Sequence, residues 1–579
     1  MATTSPHLEA QLAAAAQRRP RRREASALPA ASMMAAAGLA ACLIYALTIQ
    51  TRPAHIDEFY HLLAGRSWQA DGSFTILDGR YERARLFTMI VGSSFDLFGR
   101  SDLLAARIPS VLFSSLSVAL VFHWLRSTAN LWGAVSAAML FGLAGYTFDI
   151  AHFARFYALH ALLILCAAGS LFLATRPANR FRSGWIACAA LCLAVAAHLQ
   201  PVTAIAALAM GGWLLFDQRR MISAMRPLHL IVLGGIALVC VAIAATQAGP
   251  ALDSYRHAER WATGSQDDPL YYLREFRTQM PVMLLLWPVA LLVAWRRHAP
   301  LASLCAIMVM LPVLLHSFAG MKAWRYSYYV FPFACMAYGL AIAALTDRFG
   351  KRKQWFPPVA AFAGAMLVLM GGDAIYRHSA RLMAASLSQL ARGPSALAAP
   401  VPDGDWDNAA PQLRRLAEGK LLITSDDLRT LAHVGPYDFF ISHSRLGELK
   451  PVADFNRDFR TGRPLIDSSA GLSEVIDCTK EGLLILSDYQ WRNPMGVRPE
   501  IADLIARRLP PVRGVSGFHI FSWRHSTVRR SCPHVGRQAL LGTRGTSAVR
   551  PLPPRWRSVP SGQSCPFAFL GIAAVAGVA

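Results

Sequence analysis

The sequence is short of charge. Only 16% of its 579 residues are Asp, Glu, Lys or Arg, against about 25% in an ordinary soluble domain. Acidic residues are the scarcer sign, 35 against 58 Lys and Arg, which leaves a formal net charge of +23. The chain has no GxGxxG and no Walker loop, so neither nucleotide fingerprint is present. It has no CxxC and no Cys/His metal spacing, although it holds 10 cysteines. No internal repeat is evident. Intrinsic disorder, collagen and a disulfide scaffold are excluded by composition.

What is present is apolar length. Hydrophobic residues make up 54% of the chain, and the mean hydropathy is +0.33. Runs long enough to cross the hydrocarbon lie at 28–50, 103–125, 130–149, 153–174, 183–199, 200–217, 229–247, 277–295, 300–319, 325–346 and 355–374. The first lacks a small-residue cleavage pattern and reads as an anchor rather than a removed signal peptide. Cys42, Cys166, Cys188, Cys192, Cys240, Cys305 and Cys335 lie in such runs and act as small hydrophobes.

Basic residues test the spans. With the N-terminus inside, short cytoplasmic loops hold Arg126, then Arg176, Arg180 and Arg182, then Arg219, Arg220 and Arg226, then Arg296 and Arg297, then Arg348, Lys351, Arg352 and Lys353. That alternation follows the positive-inside rule. Eleven spans then put the C-terminal part outside. The organisation expected is a disordered cytoplasmic tail over 1–27, a transmembrane domain over 28–375 and a linker over 376–402. An external α/β domain follows over 403–525, and a disordered tail over 526–579. The basic RRPRRR of the first tail is explained by anionic lipid and topology, so no nucleic-acid partner is expected.

The α/β expectation comes from strand-like runs at 420–425, 437–442, 482–487 and 518–523. They alternate with helical patterns at 426–433, 471–480 and 499–508. Cys478 and Cys532 fall in this polar part and can pair in an oxidising compartment.

Chemistry concentrates in the external loops. HIDEFYH at 55–61 puts Asp57 and Glu58 at the lip of the first span, where charge is costly and tends to be functional. Tyr81-Glu82 follows, then LFTMIVGSSFDLFGRSDLLAARIPSVLFS, FARFYALHALL at 153–163, RHAERW at 256–261, DPLYYLREF, MPVMLLLWP, and MKAWRYSYYVFP at 321–332. In this order, over about 50–350, these elements resemble the GT-C glycosyltransferases. The resemblance is to the branch of bacterial aminoarabinose transferases of lipid A and protein O-mannosyltransferases.

The resemblance implies a polytopic α-helical membrane enzyme that moves a sugar, with inversion, from a polyprenyl phosphate to an acceptor hydroxyl, amine or phosphate. The membrane would be a bacterial cytoplasmic membrane and the reaction would take place on its outer side. The partners implied are the lipid-linked donor, membrane lipids, and a lipid, glycan or protein acceptor. Asp57 matches the family's general base, and Glu58 would orient it or the acceptor. Repulsion between the two carboxylates would raise one pKa. Arg83, Arg85, Arg155, Lys322 and Arg325 are the candidates for the donor phosphate, because fixed cations stabilise charge on a departing phosphate. Tyr60, His61, Tyr81, Tyr157, His198 and Tyr326 would line the cavity. Glu82 and His257 match positions that bind a divalent metal in the aminoarabinose branch, so zinc, magnesium or manganese is a candidate cofactor.

The chain departs from that branch in two places. Tyr81-Glu82-Arg83-Ala84-Arg85 lacks its proline, and Phe59-Tyr60-His61 lacks the arginine near Tyr60. Aminoarabinose is therefore not implied as the sugar. A transporter of lipid-linked sugars is the other functional class considered. It would show repeated halves and midplane charges, whereas the polar groups here gather at one face. A catalytically dead scaffold of the same architecture is the third.

Overall fold

The computed structural model describes residues 27–49, 52, 54–176, 179–219, 268–319, 322–350, 353–371, 405–443, 455–458, 460–494 and 496–527, with six positions between 227 and 242. The chain opens on α1 (Ala27–Thr48), followed by α2 (Glu58–Asp71), the hairpin β1–β2 (Thr75–Ile76, Gly79–Arg80) and α3 (Arg85–Phe98). Then come α4 (Leu103–Thr128), α5 (Leu131–Leu143), α6 (Gly145–Ala151), α7 (Tyr157–Ala174), α8 (Arg182–Leu199) and α9 (Thr203–Asp217). After a gap follow α10 (Tyr271–Gln279), α11 (Pro281–Ser317), a 3-10 turn (Trp324–Val330), α12 (Phe331–Phe349) and α13 (Phe356–Met370).

Ten of the eleven apolar runs thus fall on described helices. The run at 229–247 lies outside the described residues apart from scattered positions. Among the described residues six helices are long and apolar enough to cross a membrane, or seven if α5 and α6 form one span bent by 60°. The two runs at 277–295 and 300–319 both lie in α11, which breaks at His298 (φ −129°, ψ 37°) into two helices. Tyr272, just before its start, meets His316 at its end, so the two halves run back along each other as two spans. Pro300 explains the break. Its ring removes an amide donor and crowds the carbonyl of the preceding turn.

Three of the loops assigned to the cytoplasm meet at one end of the bundle. Asn130 donates to Asp347 at 2.8 Å, and Arg297 pairs with Asp347 at 3.7 Å. α5 and α12 approach closely through glycine. A Cβ on Gly133 would lie 2.5 Å from the carbonyl oxygen of Gly339, so only a bare backbone fits. Outward-facing leucines, among them Leu39, Leu43, Leu285, Leu292 and Leu314, are exposed as lipid-facing positions should be.

Two helices between the first two spans, α2 and α3, were not anticipated from the apolar runs. α2 buries every residue from Glu58 to Gly65 and comes to the surface only at its end, whereas α3 buries one face and exposes the other. α2 ends on Gly72, whose φ of +76° is the left-handed cap that glycine favours.

The C-terminal part is an α/β domain. It comprises α14 (Trp406–Ala417), β3 (Leu421–Thr424), α15 (Asp427–His433), β4 (Phe439–Ile441), β5 (Asn456–Arg457), β6 (Pro464–Ile466), α16 (Ser469–Cys478), β7 (Glu481–Ser487), α17 (Pro499–Arg508) and β8 (Phe518–Arg524). The six strands order as β5-β6-β4-β3-β7-β8. The inner four are parallel, with Ile423 opposite Phe439 and Leu484. Both edges run antiparallel. Strands covered on both faces read as continuous apolar runs, which is why LLIT, FFI and GLLILS stood out. The edge strand β5 and its neighbour β6 are too short to carry such a signal. Cys478 is disulfide-bonded, and its expected partner Cys532 lies outside the described residues.

Candidate active site

α1 ends at Thr48, and α2 starts at Glu58. Asp57 is the residue before that helix, at φ −63° and ψ −22°. Its neighbour points elsewhere. Successive helical residues are about 100° apart around the axis, so Asp57 and Glu58 serve different surroundings.

Glu58 is fully buried. Its two oxygens take Nε and Nη2 of Arg107 from α4, each at 2.8 Å. They also accept from His55 N and Ala154 N, each at 2.9 Å. Arg107 in turn donates to the carbonyls of Ile49 and Arg52. This knot fixes the end of α1, the start of α2 and the loop before α7 against one another. Burial pushes the Glu58 carboxyl up, but the charge and hydrogen bonds of Arg107 prevail and hold it below its usual value.

The Asp57 carboxylate is 19% exposed and meets Nη2 of Arg325 at 3.0 Å. Arg155 donates from Nη1 to the Asp57 carbonyl at 3.2 Å and to the Tyr81 hydroxyl at 2.8 Å. Burial raises the Asp57 carboxyl, but Arg155 and Arg325, with His55 and Arg460, outweigh it and bring it to about 2. His55 lies 3.8 Å from the carboxylate. Its Nδ1 accepts from Asp57 N at 3.1 Å, and burial lowers its pKa. At neutral pH the ionic partner of Asp57 is therefore Arg325, not His55.

The expected mutual repulsion of the two carboxylates is corrected by this geometry. Each has its own arginine, so both pKa values fall and neither rises. Glu58 is likewise corrected as a group that meets an acceptor. Its oxygens are spent inside the fold, and it orients Asp57 through the backbone of residue 55.

The other expected residues divide. Tyr60 stacks on Tyr81 with ring centres 4.9 Å apart and planes 14° apart. His61 sits edge-on to Tyr81 and shares a hydrogen bond with Thr88 at 2.8 Å. Burial, then Arg155 and Arg83, keep that imidazole well below its usual pKa. Tyr157 accepts from Nε of Arg325 at 3.3 Å and leans on Tyr326. Arg83 lies over the Phe156 ring. Lys322 is buried just before the 3-10 turn. His198 is exposed on the last turn of α8, with no described contact to the Asp57 cluster. Arg85 pairs with Glu82 at the surface.

The metal expectation finds little support in these residues. The Glu82 carboxylate is taken by Arg85, and His257 lies outside the described residues. Among the described residues no group of three or more His, Cys, Asp or Glu could hold a metal. No step below is routed through one.

Two residues of this cluster were not singled out from the sequence. Arg107 carries a readable signal, a charge inside an apolar run (LAARIPS), which is costly unless used. Arg460 carries none. It comes from the α/β domain, its guanidinium lies 4.8 Å from the Tyr60 ring centre, and Nη1 donates to the Tyr60 hydroxyl. The domain is docked here by further contacts. Arg429 donates to the Ala54 carbonyl at 3.2 Å, and Asp78 N donates to the Thr461 carbonyl at 2.9 Å. Arg463 pairs with Asp78, and Phe59 meets the His433 ring.

No curated protein sequence matches the chain. Residues 83–244 match the family model described as dolichyl-phosphate-mannose-protein mannosyltransferase. The chain superposes on ArnT from Cupriavidus metallidurans in the apo state with a TM-score of 0.56 and 14% identity, covering 85% of this chain and 97% of that one. The same protein bound to undecaprenyl phosphate gives a TM-score of 0.56 and 14% identity over 86% of this chain and 99% of that one. The Archaeoglobus fulgidus oligosaccharyltransferase with Zn and sulfate gives only 0.46 at 12% identity, over 69% and 61% of the chains, too slight to argue from. The multi-pass helical bundle, the docked α/β domain and the match over 83–244 bear out the resemblance drawn from the motifs: this is a membrane protein with the fold of the GT-C glycosyltransferases.

Proposed function

We propose that the protein transfers a sugar from a polyprenyl phosphate to an acceptor hydroxyl, amine or phosphate, with Asp57 as general base. The observation that carries the reading is the partly open Asp57 carboxylate ringed by Arg155, Arg325 and Arg460. One carboxylate among three guanidiniums leaves a surplus of positive charge. An anionic substrate group satisfies that surplus, and a sugar phosphodiester supplies it.

The chemistry follows from the charges. The acceptor oxygen attacks the anomeric carbon while its proton passes to Asp57. The carbon–oxygen bond to phosphate breaks, its electron pair stays on the phosphate, and the anomeric centre inverts. The phosphate goes from one negative charge to about two, and the arginines stabilise that gain. A carboxyl held at about 2 is a weak base. Donor phosphate drawing Arg325 and Arg155 to itself relieves Asp57 of their field and raises its basicity, so the base is strengthened when the donor is bound. Positioned bases of this kind contribute about 10²–10⁴-fold. The reaction belongs on the outer side of a bacterial cytoplasmic membrane, with the N-terminus inside. The carriers of the Asp57 cluster are the loops opposite the basic ones.

The test is Asp57→Asn. The variant should insert, fold and bind undecaprenyl phosphate, yet transfer no sugar when supplied with membrane lipid-linked donors. Transfer at near the wild-type rate would remove Asp57 as the base. Deletion of the gene, followed by mass spectrometry of lipid A, envelope glycan and glycoprotein fractions, identifies the sugar and the acceptor together.

A further inference from the structure

We infer that the α/β domain is part of the phosphate site, and that Arg460 is a substrate-contacting residue there. This rests on the phosphate reading of the Asp57 cluster. Arg460 comes from the loop between β5 and β6, not from a membrane helix. That loop is rigidly made. Asp458 caps it by accepting from Thr461 N at 3.0 Å and from the Thr461 hydroxyl at 2.7 Å. Gly462, at φ +71°, turns the chain and donates back to the Asp458 carbonyl.

The loop is seated against the β1–β2 hairpin. A Cβ on Gly79 would come within 2.2 Å of the Arg460 carbonyl oxygen, so the two backbones are in direct contact. Thr461 accepts from Asp78 N at 2.9 Å, and Tyr437 donates to the Thr461 hydroxyl at 2.9 Å. Of the loop's two arginines, Arg463 pairs with Asp78, and Arg460 is left to reach the membrane domain. The Arg460 guanidinium lies over Tyr60, the ring that stacks on Tyr81, whose hydroxyl accepts from Arg155. Arg155 also lies 5.9 Å from the Tyr60 ring centre. Tyr60 is thus flanked by two guanidiniums, one from each domain, and both act on Asp57.

Arg155 and Arg325 come from the loop before α7 and the 3-10 turn before α12. Arg460 comes to the same cluster from the α/β domain, over the Tyr60 ring. The ligand chemistry is a phosphate monoester or diester on a polyprenyl chain. Planar guanidiniums suit it because they offer paired donors at fixed spacing.

The experiment measures binding of undecaprenyl phosphate, and of neutral undecaprenol, to the full chain in nanodiscs. The variants are R325Q, R460Q, G79A and, as a charge control, R507Q on the exposed end of α17. R460Q and G79A should each weaken undecaprenyl phosphate about tenfold or more, in the range of a charged hydrogen bond. Undecaprenol binding should hardly change, and R507Q should bind like wild type. A merely structural role for Arg460 would lower both ligands alike and overturn the inference. Loss in R325Q with none in R460Q also overturns it, while leaving the phosphate reading of Asp57 and Arg325 intact. No loss in either variant overturns both.

Discussion

Substituting Glu58 by Gln separates two carboxylates that the sequence presents as a pair. Glu58 accepts four hydrogen bonds in full burial, two from Arg107 and one each from His55 N and Ala154 N. Gln keeps the shape but removes the charge. It also turns an amide NH2 towards at least one donor that needs an acceptor. Arg107, 3% exposed, is left as a buried cation without its counter-ion. Breaking one side of such a pair costs about 3–5 kcal/mol. At roughly 2 °C per kcal/mol for a long chain, the melting temperature in detergent should fall by about 6–10 °C. The double variant E58Q/R107M should recover part of that fall, because an apolar pair of similar volume removes the stranded charge. The assay is a thermal melt followed by intrinsic fluorescence, run beside undecaprenyl phosphate binding at a temperature where the variant stays folded. E58Q melting with wild type while sugar transfer is lost would make Glu58 a catalytic group and refute this division of labour.

Other expectations follow from the same contacts. Asp57→Asn should bind undecaprenyl phosphate at least as tightly as wild type, since it removes the carboxylate that competes for Arg325; weaker binding in a direct titration would contradict the geometry. The Asp57 carboxyl falls from 3.8 to about 2 on folding, so its stabilisation is complete above about pH 4 and is lost as pH falls towards 2. Melts of wild type and D57N should therefore differ by a constant amount at neutral pH and converge in strong acid. Arg85→Gln should shift the melting temperature little, because its pair with Glu82 is half exposed and such pairs contribute about 0–1 kcal/mol. Gly133→Leu should disrupt the α5–α12 crossing and lower yield of folded protein, seen as aggregation in size-exclusion chromatography.

The membrane helices were legible because spanning lipid demands a length of apolar sequence that little else requires. The turn at His298 was legible because Arg296 and Arg297 interrupt the apolar stretch and mark two spans with a loop between them. Helices α2 and α3 were missed. They are short, and polar residues are mixed into both, so hydropathy averages them into a loop. Asp57 was legible as chemistry from its place at the end of a span. That Glu58 is structural was not, because adjacency in sequence conceals a turn of about 100° at a helix start. Arg107 was readable in principle as a charge in an apolar run. Arg460 was not, since its partner Tyr60 is 400 residues away and no local pattern marks an arginine that a tertiary contact will use.

That separation has a consequence for how the protein matures. Asp57, Arg155 and Arg325 leave the ribosome with the membrane bundle, and Arg460 emerges only after the last described span is made. Between those events the chain holds a finished carboxylate and an unfinished ring of cations, with β1–β2 and Tyr60 uncovered. The hairpin at 75–80 then serves as the landing place for the domain that arrives last. If Arg460 holds the donor phosphate as inferred above, a chain cut short before residue 460 would insert its bundle and hold Asp57 without the third guanidinium.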